Sequence, residues 1–395
     1  MPGSSAGEQT RCPANWLVTN FSRVTASGPI VREIDGFRFL AIAIVIAHHL
    51  LGIYLESTGR FAIPPQGWTT LKGESFLIRL VGLGWFGVHL FFVVSGFVLA
   101  LPFARHYLEG TQKPSLKAYY LRRLTRIEPP YLIALTIAMV VVVATRPNWR
   151  DNIGNFFASF FYVHNLIYGE MSRIENVFWS LEVEVQFYLI APFLALLFAI
   201  KSPFLRRGIL VGLVFFWGWF APRLVCVASQ RASLSILCNL QFFVAGFLLL
   251  DFYLADPARL HHKRYAWDAL SLATAAAMFW ILDRYWIGWL LPFLIVFFYL
   301  SLFLGRLGSR FVTHPAIYIV GGMCYTLYLY HVLIIKQLGR WTFPLASPDR
   351  PFILDLLIQA TLLGALILIL GAVLFKLFER PFMGARVYAL ESKSN

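Results

Sequence analysis

The sequence predicts an all-α, polytopic membrane helix bundle of about ten transmembrane helices, with both termini cytoplasmic. Three observations predict it: an apolar composition, ten apolar runs of spanning length, and a bias of basic residues between alternate loops. Hydrophobic residues make up 58% of the 395 residues and charged ones only 14%, against roughly 25% charged in soluble domains. The runs fall at about 34–54, 81–103, 128–145, 177–200, 208–228, 233–254, 266–283, 285–304, 315–337 and 353–378. Each is at or near the length that crosses a hydrocarbon core of about 30 Å. With the N-terminus inside, 21 of the 34 Lys/Arg fall on cytoplasmic segments and 12 on outer ones, Arg38 lying inside the first run. That imbalance is the positive-inside signature, and it accounts for the net charge of +14 without nucleic acid.

Residues 1–32 are expected to form a polar, mobile tail, since they lack the apolar core of a signal peptide. Residues 33–381 form the transmembrane domain and 382–395 a cytoplasmic C-terminal tail. Little more than Asp283 and Arg284 separates the seventh and eighth runs. The longest outer loop, about 146–176, carries Phe156, Phe157, Phe160, Phe161 and Tyr162 and is expected to lie partly in the interface. No outer loop is long enough for a folded domain and no internal repeat is visible, so any chemistry is expected of the bundle. Cys12, Cys226, Cys238 and Cys324 form no CxxC pair or recognisable framework, so neither a zinc site nor a disulfide scaffold is expected.

The first run holds Asp35, Arg38 and His49. Eleven residues from Arg38 to His49 are close to three helical turns, so both project from one face, which Asp35 shares. Ionisable side chains at membrane depth are costly and usually line a cavity with a function. His49 lies about 22 Å from the start of the run, and an imidazole can take a proton from a hydroxyl and return it near neutral pH. The bland reading is a buried histidine bonded to a backbone carbonyl; Arg38 and Asp35 on the same face favour the functional one. His48 points about 100° away and is secondary.

In the fourth run, Trp179-Ser-Leu-Glu-Val-Glu-Val-Gln-Phe-Tyr188, Glu182 and Glu184 diverge by about 200° on a helix. Only one can face the bundle interior. Glu184 stacks one turn from Tyr188 and reaches a depth comparable with His49, so the two could meet; the alternative is a structural ion pair with an intramembrane arginine. At the start of the third run, Arg122, Arg123 and Arg126 cluster at helical spacing. Guanidinium groups grip phosphate oxygens bidentately, although on charge alone a headgroup-binding anchor is the better reading. In the second run, Ser95-Gly96 reads first as a packing notch or a ligand contact, because no base lies near Ser95 in sequence and there is no GxSxG elbow. Cys324-Tyr-Thr-Leu-Tyr-Leu-Tyr-His331 places His331 in the outer half of the ninth run, with aromatic neighbours that read equally as an interface belt or a sugar-facing wall.

Taken together, these motifs resemble the acyltransferase-3 family of integral membrane acyltransferases. The matching pieces are Asp35-Gly-Phe-Arg38 with His49, Phe91-Phe-Val-Val-Ser-Gly-Phe97, Arg122-Arg-Leu-Thr-Arg-Ile-Glu-Pro-Pro-Tyr131, Trp179 to Tyr188, and Tyr325-Thr-Leu-Tyr-Leu-Tyr-His331. They occur in the family's order over roughly residues 33–381. The resemblance implies transfer of an acyl group, usually acetyl, from a cytoplasmic CoA thioester to a hydroxyl of an extracytoplasmic glycan or lipid-linked saccharide. Such an enzyme sits in the cell inner (plasma) membrane; acetyl-CoA is a substrate and no cofactor is held permanently. Residue by residue, it makes Arg38 and His49 the family's arginine–histidine pair, Glu184 its intramembrane glutamate, and Arg123 and Arg126 its donor-end arginines. The family's usual glycine after Arg38 is Phe39 here, and its Ser-Val-Glu-Glu reads Glu182-Val-Glu184-Val185. Many relatives add a secreted hydrolase-like domain, which is not expected here.

The expected mechanism docks the CoA phosphates on Arg122, Arg123 and Arg126, with Ser95 on the donor side, and sends the pantetheine arm toward His49. His49 acts as general base, oriented by Glu184, while Arg38 stabilises the oxyanion or the CoA arm; Asp35, Tyr188 and His331 support them. An acyl-histidine intermediate is the main variant. The rival classes are a proton-coupled transporter or flippase using the same ionisable path, and a non-catalytic membrane sensor.

Overall fold

The computed structural model of the chain describes residues 21, 31–59, 76–256, 258, 262–282, 284–347 and 349–383. The expected terminal tails therefore lie almost entirely outside the described residues. Within them the regular elements are helices, with no strand. Eight spans run in order as α1 (Arg32–Thr58), α2 (Ile78–Glu109), α3 (Leu116–Thr145), α4 (Asn176–Ala199), α5 (Pro203–Val225), α6 (Gln230–Ala255), α7 (Tyr265–Leu282) and α8 (Ile287–Leu304). A bent pair follows, α9 (Pro315–Gly322) and α10 (Cys324–Leu345), and then α11 (Phe352–Phe382). Among the described residues nine helices are long and apolar enough to cross a membrane, or ten spans if the bent pair counts as one.

The ninth span is where the expected outline changes. The run at 315–337 is not one straight helix: α9 and α10 meet at 74°. Gly321 and Gly322 end α9, and Gly321 lies so close to the main chain of Asp35 that a Cβ there would collide with it. The bend presses α9 against the start of α1 and sets Cys324 beside Arg38. A second glycine contact joins α2 to α6, where Gly96 faces the main chain at Phe243 and Gly246 faces that at Val93. Close backbone approach through small residues is how membrane helices gain packing without a hydrophobic driving force. The packing role of Gly96 is thus realised, and it fixes the neighbouring Ser95 in the wall of the bundle.

Charges inside the bundle are paired. Asp251 of α6 is fully buried and accepts hydrogen bonds from Arg206 and, at 2.7 Å, from Arg207 of α5. A lone charge there would carry a desolvation cost of several kcal/mol. The long loop after α3 folds into two short helices, Ile153–Phe160 and His164–Tyr168. Its Asn165 ties it down, donating from its amide to Glu182 at 2.8 Å and from Nδ2 to the carbonyls of Trp179 and Leu234. Phe157 and Phe161 of this loop stay exposed.

One covalent tie corrects the sequence reading. Cys226 and Cys238 form a disulfide between the end of α5 and the first turns of α6. The two cysteines are 12 positions apart with no motif between them; only the reversal from one helix into the next brings the two sulfurs together. The remaining described cysteine, Cys324, is buried with a free thiol.

Candidate active site

Four spans and the bend converge on a narrow cavity of about 100 Å³. Arg38 of α1, Ser95 of α2, Arg123 and Arg126 of α3, and Glu184 and Tyr188 of α4 all line it. Cys324, Tyr325 and Tyr328 of α10 close another side. Each residue arrives by helical phase. Asp35 lies one turn before Arg38 and accepts a hydrogen bond from its Nη1 at 2.5 Å, so the guanidinium is aimed and its charge balanced. Arg123 and Arg126 are one turn apart, and the Arg123 guanidinium lies 5.8 Å from the Tyr119 ring. Its Nε is buried with no hydrogen-bond partner. A buried guanidinium with a spare donor, lining a cavity, is a site for an anionic oxygen.

Helical phase also divides neighbouring candidates. Glu184 lines the cavity, while Glu182 faces the other way and receives the Asn165 amide. Arg122, about 100° around α3 from Arg123, does not line the cavity. The arginine cluster of the sequence is therefore split, with Arg123 and Arg126 facing the site. Ser95 Oγ donates to Glu184 Oε1 at 2.6 Å, and Tyr188 hydrogen-bonds the same carboxylate. The base that the sequence did not show near Ser95 comes from another helix.

His49 stands outside this cavity, about 16 Å further along α1 than Arg38. Its partner is His331 rather than Glu184: His331 Nε2 lies 3.2 Å from His49 Nδ1. The carbonyl neighbours fix where the protons sit. His331 Nδ1 donates to the carbonyls of Leu327 at 3.1 Å and Tyr328 at 2.8 Å, which leaves Nε2 as an acceptor. His49 Nδ1 therefore carries its proton, shared between His331 Nε2 and the Val45 carbonyl 3.0 Å away. The lone pair of His49 is then on Nε2, the arrangement a general base needs, with the orienting role filled by an imidazole instead of a carboxylate. His48 turns toward the start of α2, with its Cβ beside Gly84.

Tyr328 links the two parts. It lines the cavity, exchanges a hydrogen bond with Ser180 at 2.6 Å, donates to the Val177 carbonyl, and its ring centroid is 5.8 Å from that of His331. The aromatic run of α10 is thus internal wall and not interface belt. Cys324, Tyr325 and Tyr328 line the cavity from the aromatic run that the sequence offers as belt or wall, and Ser180 lines it from within Trp179–Tyr188, although none of the four is a site residue on the sequence alone.

Comparison with known proteins finds relatives among O-acetyltransferases. The sequence is 32% identical over 197 residues to the peptidoglycan O-acetyltransferase OatA of Listeria monocytogenes, across 46% of this chain and 27% of that protein. It is 24% identical over 357 residues to the O-acetyltransferase OatA of Staphylococcus aureus, across 83% of this chain and 54% of that protein. The chain thus spans about half or less of the length of these curated relatives. No solved structure matches it. The profile of the acyltransferase-3 family, described as an acyltransferase domain, matches residues 31–377. Nearly every span, the guanidinium-lined cavity and the histidine pair fall inside that match, and the chain belongs to the acyltransferase-3 family.

Proposed function

We propose that this multi-pass membrane protein transfers an acyl group, acetyl by preference, from cytoplasmic acyl-CoA to a hydroxyl of an extracytoplasmic glycan or lipid-linked saccharide across the inner (plasma) membrane. The observation that carries this reading is the placement of His49, with a free Nε2, just beyond a cavity lined by three arginines. O-acetyl transfer is also the activity in the names of the relatives above.

In this reading the CoA phosphates rest on Arg123 and Arg126, with Arg122 at the mouth. The thioester arm runs past Ser95 and Glu184 toward the histidine pair. The acceptor hydroxyl attacks the thioester carbonyl while His49 Nε2 takes its proton. Arg38 offsets charge on the donor arm, the C–S bond breaks, and the CoA thiolate receives the proton. Asp35 holds Arg38, Tyr188 and Ser95 hold Glu184, and His331 holds His49 in the required tautomer.

Orientation has its own support. Disulfides persist outside the reducing cytoplasm. Counting spans from a cytoplasmic N-terminus puts the end of α5, and so Cys226–Cys238, on the outer side. The bend between α9 and α10 is the one observation that favours a transporter, since broken helices mark transport sites. The deciding assay is radiolabelled acetyl transfer from acetyl-CoA by purified protein in liposomes without a membrane potential, wild type beside His49→Ala. Transfer by the wild type that disappears in a variant still binding CoA supports the enzyme. No CoA binding by the wild type returns the protein to the transporter reading.

A further inference from the structure

One to two turns outward from the histidine pair, α1 and α10 part to form a second cavity of about 490 Å³, lined by Ile53, Ser57, Lys336, Arg340, Phe343 and Ser347 among others. Ile53 is four residues beyond His49 and Lys336 five beyond His331, so its floor lies about 6–8 Å from the pair along either helix. Lys336 and Arg340 are both exposed to this space. Arg340 is pre-positioned, donating from Nε to the Gln337 carbonyl at 2.8 Å and from Nη2 to the Gln337 side chain. Lys336 acts electrostatically on both His49 and His331.

Among the described residues, Lys336 and Arg340 are the only charged ones that line this cavity. Asp355 is buried, pairs with Arg350 at 3.3 Å and accepts the Ser347 amide. Burial raises the carboxyl pKa of Glu175, against the opposing pull of Lys336. The cavity next to the proposed base is therefore positive and has an apolar wall in Ile53 and Phe343.

We propose that this outer cavity binds the acceptor through an anionic group, a carboxylate or phosphate carried by the hydroxylated saccharide, held by Lys336 and Arg340 while a neighbouring hydroxyl meets His49. The proposal rests on the acyltransferase reading and narrows its substrate class from glycans in general to acidic ones. It also supplies a coupling. The charge of Lys336 opposes a second positive charge forming on His49, and an anion bound to Lys336 offsets that opposition. The base is then strongest when an acceptor is in place, which limits loss of the acyl group to water.

The test is equilibrium binding of three labelled probes to the full chain in nanodiscs: a glucuronate-containing disaccharide, its neutral methyl ester, and a disaccharide phosphate. The acid, the phosphate or both should bind about tenfold more tightly than the ester, as expected for two partly screened ion pairs. The preference should vanish in Lys336→Gln/Arg340→Gln and survive in Lys336→Arg, with CoA binding unchanged in all as the check on folding. Which anionic probe is preferred identifies the group. Equal binding of all three probes, or a preference that persists in the double variant, overturns the proposal. Acetyl transfer is read in parallel. Preferential binding without transfer overturns the acyltransferase reading and leaves the anion site standing, while transfer with equal binding does the reverse.

Discussion

Two cationic regions face each other across the histidine pair, and they are built differently. In the inner cavity the charges are partnered by the protein itself: Arg38 by Asp35, Arg123 by the Tyr119 ring, with Glu184 held between Ser95 and Tyr188. In the outer cavity Lys336 and Arg340 stand exposed, with no acid among the described residues that line it. The inner region is preorganised for one ligand of fixed shape. The outer one supplies field and space, which suits acceptors of varied shape. Preorganised charges cost little reorganisation when ligand binds, whereas exposed ones contribute less per pair.

The largest effect should come from the point between the regions. His49→Ala should lower acetyl transfer by about 10²–10⁴-fold, the range for loss of a general base, with CoA binding intact; unchanged transfer would remove His49 from the chemistry. Next, Arg123→Ala should weaken CoA binding by about 10–100-fold, since a charge-assisted contact contributes roughly 1.5–3 kcal/mol, and should not change acceptor KM. A shift in acceptor KM alone would mean that the two regions have been assigned the wrong way round. The glutamates sharpen the division within α4. Glu184→Gln should reduce turnover by about tenfold, a modest pre-organisation effect, while Glu182→Gln should lower thermal stability and leave turnover alone. The reverse pattern would make Glu182 the functional carboxylate. The smallest effect on activity belongs to Cys226→Ser. Loss of a short-loop disulfide removes about 2–3 kcal/mol of constraint, so Tm should fall by several degrees with transfer unchanged.

Apolar run length made the spans legible, because the bilayer demands a length that composition can show. Periodicity made Asp35 and Arg38 legible as one face, and it separated Glu182 from Glu184. It could not decide between Arg122 and Arg123, since two adjacent residues differ only in phase and the sequence does not say which face of α3 turns inward. The meeting of His49 with His331 needed the packing of α10 on α1, across a separation of 282 residues. A face comparison had matched His49 with Glu184 by depth alone; depth is one coordinate of three. The bend at Gly321-Gly322 and the disulfide were missed for the same reason, because each depends on where a neighbouring helix lies.

The placement of Tyr328 has a consequence for the membrane itself. Bonded to Ser180 and Val177 and 6.1 Å from the Phe91 ring between centroids, it lines the inner cavity with its ring beside that of His331. The thioester arm of the proposed reaction is narrow, and an arm that fills its own path requires no water-filled passage through the bundle. The cell could keep many copies of this protein in an energised membrane without dissipating its proton gradient.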